Sequence, residues 1–255
     1  MAEKPIYRQS QIKTYLKCGK LYEFVYVMGI KKPPKAALTV GSSVDAAVNA
    51  NLLNKIRTGE LLNESDVADA CVTAFDKRAP ETDFAGEKPG ELKDVAVACT
   101  KTHHNFIAPK IKPLTVQEEF HLETTAEYDL AGTFDIIEKN GTIVDTKTAS
   151  RAYDDSTVFR DLQAAGYDFA FQSLYKKKSK GFRWDVLIKR KHGAHPQQIQ
   201  TKVTNADRKW FFYNVEQAHK GIKAGIAAPA PDLPNVWWCS AKWCAFWKEC
   251  KGKKR

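Results

Sequence analysis

The sequence predicts an α/β (α+β) protein, and three observations predict it. Residues 133–147 carry a β-hairpin signal. An amphipathic helical stripe follows directly. Strand-like alternation then recurs at 114–129 and 182–190, between stretches of helical periodicity. In the hairpin, two β-branched runs flank Lys139-Asn140-Gly141, and Asn-Gly between apolar runs is a strong turn signal. Side chains alternate along a strand, so Thr133, Asp135 and Ile137 share one face, as do Ile143, Asp145 and Lys147. Folding at the turn brings Asp135, Asp145 and Lys147 to one end of the hairpin. Two carboxylates and an ammonium in an apolar hairpin are costly unless partnered. Carboxylates holding a divalent cation, with the lysine facing a phosphate or water, would account for them. An ordinary Asp–Lys ion pair is the alternative.

The next helix is expected to start at Asp154, Asp155 or Ser156 as N-cap and to run to about Tyr175. Phe159, Leu162, Gly166, Ala170 and Leu174 form its apolar stripe. Gln163 and Tyr167, at i and i+4, share one face.

Upstream, Ser10 is the expected N-cap of a first helix carrying Ile12, Tyr15, Leu16 and Cys18. Lys31-Lys32-Pro33-Pro34-Lys35 reads as an extended basic linker. A second helix is expected from Gly41 onward and includes Asp45. Residues 65–108 read as helical, interrupted between Ala79-Pro80 and Pro89-Gly90. Cys71 and Cys99 lie among alanine and valine and read as core. His103 and His104 point apart on a helix and read as structural or exposed. Along 114–129, Val116, Glu118, Phe120 and Leu122 alternate with Gln117, Glu119, His121 and Glu123.

Downstream, Lys176-Lys177-Lys178-Ser179-Lys180 is a basic turn suited to a phosphodiester backbone or to solvent. The strand at 182–190 sets Trp184, Val186 and Ile188 on one face. His192 and His195 are expected in a loop. A long helix starts at Asn205 or Asp207 and reaches about Ala224, followed by a proline-rich connector at 227–234. Cys239, Cys244 and Cys250 come next, among aromatics. Thiolates at such short spacing read as a metal or iron–sulfur site.

The chain has 255 residues and a formal net charge of +10, from 40 Lys+Arg against 30 Asp+Glu. That length suffices for a sizeable core. The basic excess points to a polyanionic partner. No apolar run approaches a membrane span, and the start Met-Ala-Glu-Lys-Pro lacks a signal-peptide core. The expectation is a soluble cytoplasmic protein with no membrane partner. Six cysteines in such a chain argue against a disulfide framework.

Gly-Thr-Phe-Asp135, Asp145-Thr-Lys147 and Gln163-Ala-Ala-Gly-Tyr167, in that order, resemble motifs II, III and QxxxY of the PD-(D/E)XK nucleases. Together with Ser10-Gln-Ile-x-x-Tyr-Leu-x-Cys18 and the C-terminal cysteines, they resemble the RecB-like branch, which includes CRISPR-associated RecB-like exonucleases and AddAB-type nucleases. The resemblance runs from Ser10 to Cys250. It implies a central mixed sheet flanked by helices and a single domain over 1–255. Within it, 1–30 and 235–250 would form the cysteine part, 31–112 a helical insertion and 113–225 the nuclease core. It also implies a Mg²⁺- or Mn²⁺-dependent DNA exonuclease acting on single strands or free ends. The settings would be recombination, repair, phage DNA processing or CRISPR adaptation, with DNA and proteins of recombination, replication or CRISPR adaptation as partners.

By the same resemblance, Asp135, Asp145 and the Thr146 carbonyl would hold the metal. Lys147 would position or activate water, and Gln163 and Tyr167 would orient Lys147 or the DNA. The family commonly has a histidine ligand where this chain has Asp45. A carboxylate there can still serve a hard cation, and a first-turn helix acid is the alternative. Glu118 is the candidate for the family's strand glutamate, with Glu119 second. Cys18, Cys239, Cys244 and Cys250 would hold a 4Fe-4S cluster, with Zn²⁺ on the same thiolates as the alternative. Gly19 stands where the family usually has proline. A non-catalytic or partner-dependent DNA-binding protein is the alternative to an active nuclease. No Gly-x-x-x-x-Gly-Lys-Ser/Thr loop is present, so no NTPase motor is expected in this sequence.

Overall fold

The computed structural model describes residues 4–154, 161–190, 193–231, 233 and 235–251. Their elements, in order, are β1 (Ile6–Arg8), α1 (Gln9–Lys17), α2 (Gly19–Tyr22), α3 (Ala36–Thr58), α4 (Glu64–Arg78) and α5 (Pro89–Thr102). Then come β2 (Pro113–Leu122), β3 (Asp129–Glu138), β4 (Thr142–Ala149), α6 (Leu162–Tyr175), β5 (Gly181–Arg190), β6 (Gly193–Thr201), α7 (Asn205–Lys223) and α8 (Trp247–Cys250). Among the described residues no helix is long and apolar enough to cross a membrane.

The described residues form two compact units. The larger comprises 33–120 and 133–204. It contains a mixed sheet in which β3 and β4 are antiparallel, β4 and β5 parallel, and β5 and β6 antiparallel, with β2 beside β3. The antiparallel pair closes on a three-residue turn, and α6 supplies the crossover that a parallel pair requires. Helices flank the sheet. α3, α4 and α5 bury Val44, Leu52, Phe75 and Cys99 in one core with Ile136, Val144 and Leu187. α6 packs through Tyr167 on Phe134 and Phe182, with ring centroids 5.4 and 6.0 Å apart. β5 is buried on both faces over most of its length, as expected for a central strand with a parallel neighbour.

The smaller unit comprises 1–32, 121–132 and 205–255. Here β1 pairs in parallel with the first residues of β3, Tyr7 beside Leu130. Tyr7 Oη meets His219 Nδ1 of α7 at 3.1 Å. Phe24 stacks on Phe246 with centroids 5.0 Å apart. A Cβ on Gly19 would lie 2.9 Å from the backbone nitrogen of Ala228, so glycine at this position lets two backbones touch. Lys20 N–H donates to Ala228 O across that contact at 3.2 Å.

Several boundaries differ from the sequence expectation. Arg8 rather than Ser10 caps α1, because Gln11 Oε1 accepts the Arg8 N–H at 2.7 Å. α3 starts at Ala36, so Gly41 and Asp45 lie inside the helix and Asp45 is not a first-turn acid. α6 starts at Leu162, where the Asp161 carboxylate accepts the Gln163 N–H. Asp154 is outside the helix. Asp155, Ser156 and Phe159 lie outside the described residues, as do His192 and the tail after Lys251. His195 lies on β6 and not in a loop, paired with Ile188. Pro196 masks β6 in the sequence, and the strand tolerates it because it is at the sheet edge.

Candidate active site

The hairpin positions the first carboxylates. Gly141 adopts φ +88°, its N–H donates to Glu138 O at 2.8 Å, and Asn140 Oδ1 accepts the Thr142 N–H at 2.8 Å. This turn fixes the pairs Ile137–Ile143 and Ile136–Val144. Asp135 and Asp145 each lie one residue past the second pair.

Asp145 is 1% exposed. Its Oδ1 accepts Gln163 Nε2 at 2.5 Å and Lys147 Nζ at 2.8 Å. Lys147 Nζ is also 2.6 Å from Oδ2, an ion-pair contact rather than a hydrogen bond, and among the described residues this buried oxygen has no other partner. Burial pulls the Lys147 ammonium down, but Asp145 and Asp135 outweigh it and the net shift is upward. Lys147 is therefore a cation throughout the physiological range.

Asp135 is pushed up to about 8, first by burial and then by the charges of Asp145 and Asp45, while Lys147 and the Thr146 N–H oppose the rise. On a strand, a residue's N–H and C=O point to the same side. The Thr146 N–H that reaches Asp135 thus places the Thr146 carbonyl on the Asp135 side. Burial also raises Asp45, which Asn49 Nδ2 holds by a 3.0 Å hydrogen bond and which feels Asp145, Lys147 and Arg78. Gly41, one turn before Asp45, lets α3 approach β4: a Cβ there would lie 3.3 Å from Thr148 Oγ1. Tyr167 is raised to about 12 by burial and then by Asp135 and Asp145, and it shares a hydrogen bond with Gln163.

The structure thus brings Asp45, Asp135, Asp145, Thr146, Lys147, Gln163 and Tyr167 together. It does not bring Glu118 to them. Glu118 accepts Tyr175 Oη at 2.6 Å, and Tyr175 ends α6 whereas Gln163 begins it. At 3.6 residues per turn, Tyr175 lies more than three turns along α6 from Gln163, the residue that contacts Asp145. Glu119 is exposed. Sequence reasoning missed Tyr153, whose phenol feels Lys147, Asp145 and Asp161. Gln197 of β6 fixes its backbone, accepting Tyr153 N–H at 2.9 Å and donating to Tyr153 O at 3.0 Å. No local pattern marks such a residue, because its placement comes from a strand 44 positions away.

In the smaller unit, burial raises the Cys244 thiol, and Cys239, Cys18 and Cys250 add to the rise, so the other three sulfurs lie near Cys244. Cys18 Sγ accepts the N–H groups of Leu21 at 3.4 Å and Ala230 at 3.3 Å. Cys71 and Cys99 are fully buried in the helical core of the larger unit. Among the described residues, no three Asp, Glu, His or Cys side chains are drawn close enough to form a metal cage at either place.

A mixed sheet flanked by helices, with two aspartates and a lysine at the end of its central hairpin, defines a nuclease core. The chain belongs to the PD-(D/E)XK nuclease superfamily, whose family model matches residues 9–251. It is similar in fold to a crystal structure described as "Putative exonuclease" from Eubacterium rectale, at 16% identity and TM-score 0.64, covering 96% of this chain and 87% of that one. A second structure, SSO0001, aligns over 97% of each chain at 12% identity with a TM-score of 0.38. No curated protein matches the sequence significantly.

Proposed function

We propose that this chain is a Mg²⁺- or Mn²⁺-dependent exodeoxyribonuclease that hydrolyses DNA from single-stranded or free ends. Family membership supports the nuclease class. The observation that carries the site is the buried Asp145 carboxylate, clasped by Gln163 and Lys147 beside Asp135 and Asp45. Three crowded carboxylates, one of them raised to about 8 by its burial and by the charges of the other two, are an arrangement that a divalent cation relieves. The hard oxygen set suits Mg²⁺ or Mn²⁺. Asp135, Asp145 and the Thr146 carbonyl would hold the ion, with Asp45 completing the set. The bound cation supplies an acidified water and charge neutralisation at the phosphate.

The residues of the chain do the rest. Lys147, fixed on Asp145, presents a permanent cation to a scissile phosphate oxygen and orients the attacking water. Gln163 holds Asp145 through Oδ1 and so fixes the orientation of the carboxylate. Tyr167 stays protonated, and the hydrogen bond it shares with Gln163 helps keep Gln163 in place. Proximity and charge stabilisation are the two contributions this geometry offers.

The four cysteines are proposed to hold a 4Fe-4S cluster. Zn²⁺ on the same thiolates is the alternative. We read the biological setting as recombination, repair, phage DNA processing or CRISPR adaptation. The test is digestion of linear and covalently closed DNA in Mg²⁺, Mn²⁺ or EDTA. Metal-dependent loss of linear DNA with circles intact is expected. Binding of DNA without cleavage in any metal would instead establish a non-catalytic or partner-dependent protein.

A further inference from the structure

We propose that Trp237 and Trp243, on one loop with Trp238, form a stacking platform for unpaired bases of single-stranded DNA. The choice of DNA as the polyanion rests on the nuclease reading above. The platform itself rests on the following geometry.

Trp237 is 61% and Trp243 55% exposed. A tryptophan buries about 150–250 Å² when it packs, so leaving two in solvent forgoes much hydrophobic stabilisation, and exposed patches of this kind mark interaction sites. The indoles meet edge to face, with Trp237 and Trp243 centroids 5.3 Å apart at 79°, and Trp237 and Trp238 5.9 Å apart at 83°. Each edge-to-face contact covers one face of one ring and only an edge of the other, and the exposure of Trp237 and Trp243 leaves ring surface open to solvent.

The loop that carries them is braced. Cys239 N–H donates to Val236 O at 3.0 Å, Trp243 and Cys244 N–H both donate to Ser240 O, and Ser240 Oγ donates to Trp237 O at 2.9 Å. The backbone that carries the rings is thus braced before any ligand arrives.

Charge selects the occupant. Lys242 Nζ lies 5.1 Å from the Trp243 ring centroid and Lys17 Nζ lies 5.3 Å from that of Trp238. Among the described residues, neither lysine pairs with a carboxylate. Aromatic faces interleaved with unpaired cations match a chain of flat bases linked by phosphates. Duplex DNA keeps its base faces stacked on one another, so it cannot use the indoles. Trp238 adjoins Cys239 and Trp243 adjoins Cys244, so a group held by those thiolates would brace the platform from behind.

The test measures binding of fluorescein-labelled oligothymidylate and of a duplex of equal length by the full chain in EDTA, where metal-dependent cleavage is stopped. Single strands should quench the tryptophan fluorescence of wild type. Trp237→Ala and Trp243→Ala should each weaken single-strand binding at least about fivefold and leave duplex binding unchanged, and Trp237→Phe should restore most of the loss. Unchanged single-strand affinity in both alanine variants, or an equal loss for duplex, would overturn the platform. A wild type that cleaves nothing while its alanine variants lose single-strand binding would overturn the nuclease reading alone. A wild type that cleaves while those variants bind normally would overturn the platform alone.

Discussion

Gln163 donates from Nε2 to Asp145 Oδ1 at 2.5 Å, joining the first turn of α6 to β4 across 18 residues of chain. The carboxylate is buried, so this hydrogen bond both satisfies it and fixes its rotation. Removing a donor to a buried charged group costs about 1–3 kcal/mol, which corresponds to roughly 5–150-fold. Gln163→Ala should therefore lower kcat by about tenfold or more, with KM for DNA little changed. Steady-state kinetics on an end-labelled substrate separate the two parameters.

Asp135 makes metal-free stability depend on pH. Its folded pKa of about 8 lies above the ordinary value of 3.8. The folded protein therefore holds a proton that the unfolded chain releases, and stability falls as pH rises from about 4 to about 8. The contribution is fully present below the lower value and gone above the upper one. Thermal melts in EDTA should show this decline in wild type and a flatter profile in Asp135→Asn. Mg²⁺ should raise Tm at pH 8 in wild type and much less in Asp145→Asn.

His103 gives the opposite sign in a different window. It is fully buried in the π-helical turn His103–Ile107, neither ring nitrogen has a hydrogen-bond partner among the described residues, and burial holds its pKa down to about 4. The unfolded chain takes up a proton below about 6.5 that the folded protein refuses until about 4. Stability is therefore lost as pH falls through that window, by at most about 3 kcal/mol. Urea melts at several pH values should show a weaker acid limb in His103→Leu than in wild type.

The hairpin was legible because Asn140-Gly141 and strand alternation are local rules, and the ordered Asp135, Asp145, Lys147, Gln163 and Tyr167 lie within 33 positions. Glu118 was misplaced because alternation gave its face correctly but not its neighbour along β2, and Tyr175 takes its carboxylate. Tyr153 was invisible because a glutamine on β6 sets its place, and β6 itself was hidden by Pro196. The start of α3 was misread because Gly41 looks like a boundary. Its role is close approach to Thr148, which no helix propensity encodes.

The cysteines of the smaller unit yield a compositional prediction. The protein purified without oxygen should be brown and contain iron and sulfide, and Cys18→Ser should lose both the colour and several degrees of Tm. Metal analysis checks it. A colourless protein with stoichiometric zinc would assign the thiolates to Zn²⁺ instead.

Lys147 tests the central claim most directly. Its ammonium lies 2.6 Å from Asp145 Oδ2 and its side chain is one-third exposed, so truncation leaves the core intact. Single-turnover cleavage of end-labelled linear DNA in Mg²⁺, with wild type beside Lys147→Ala, is the measurement. The account predicts a loss of at least about a hundredfold, with single-strand binding in EDTA unchanged. Cleavage by Lys147→Ala at the wild-type rate would contradict it.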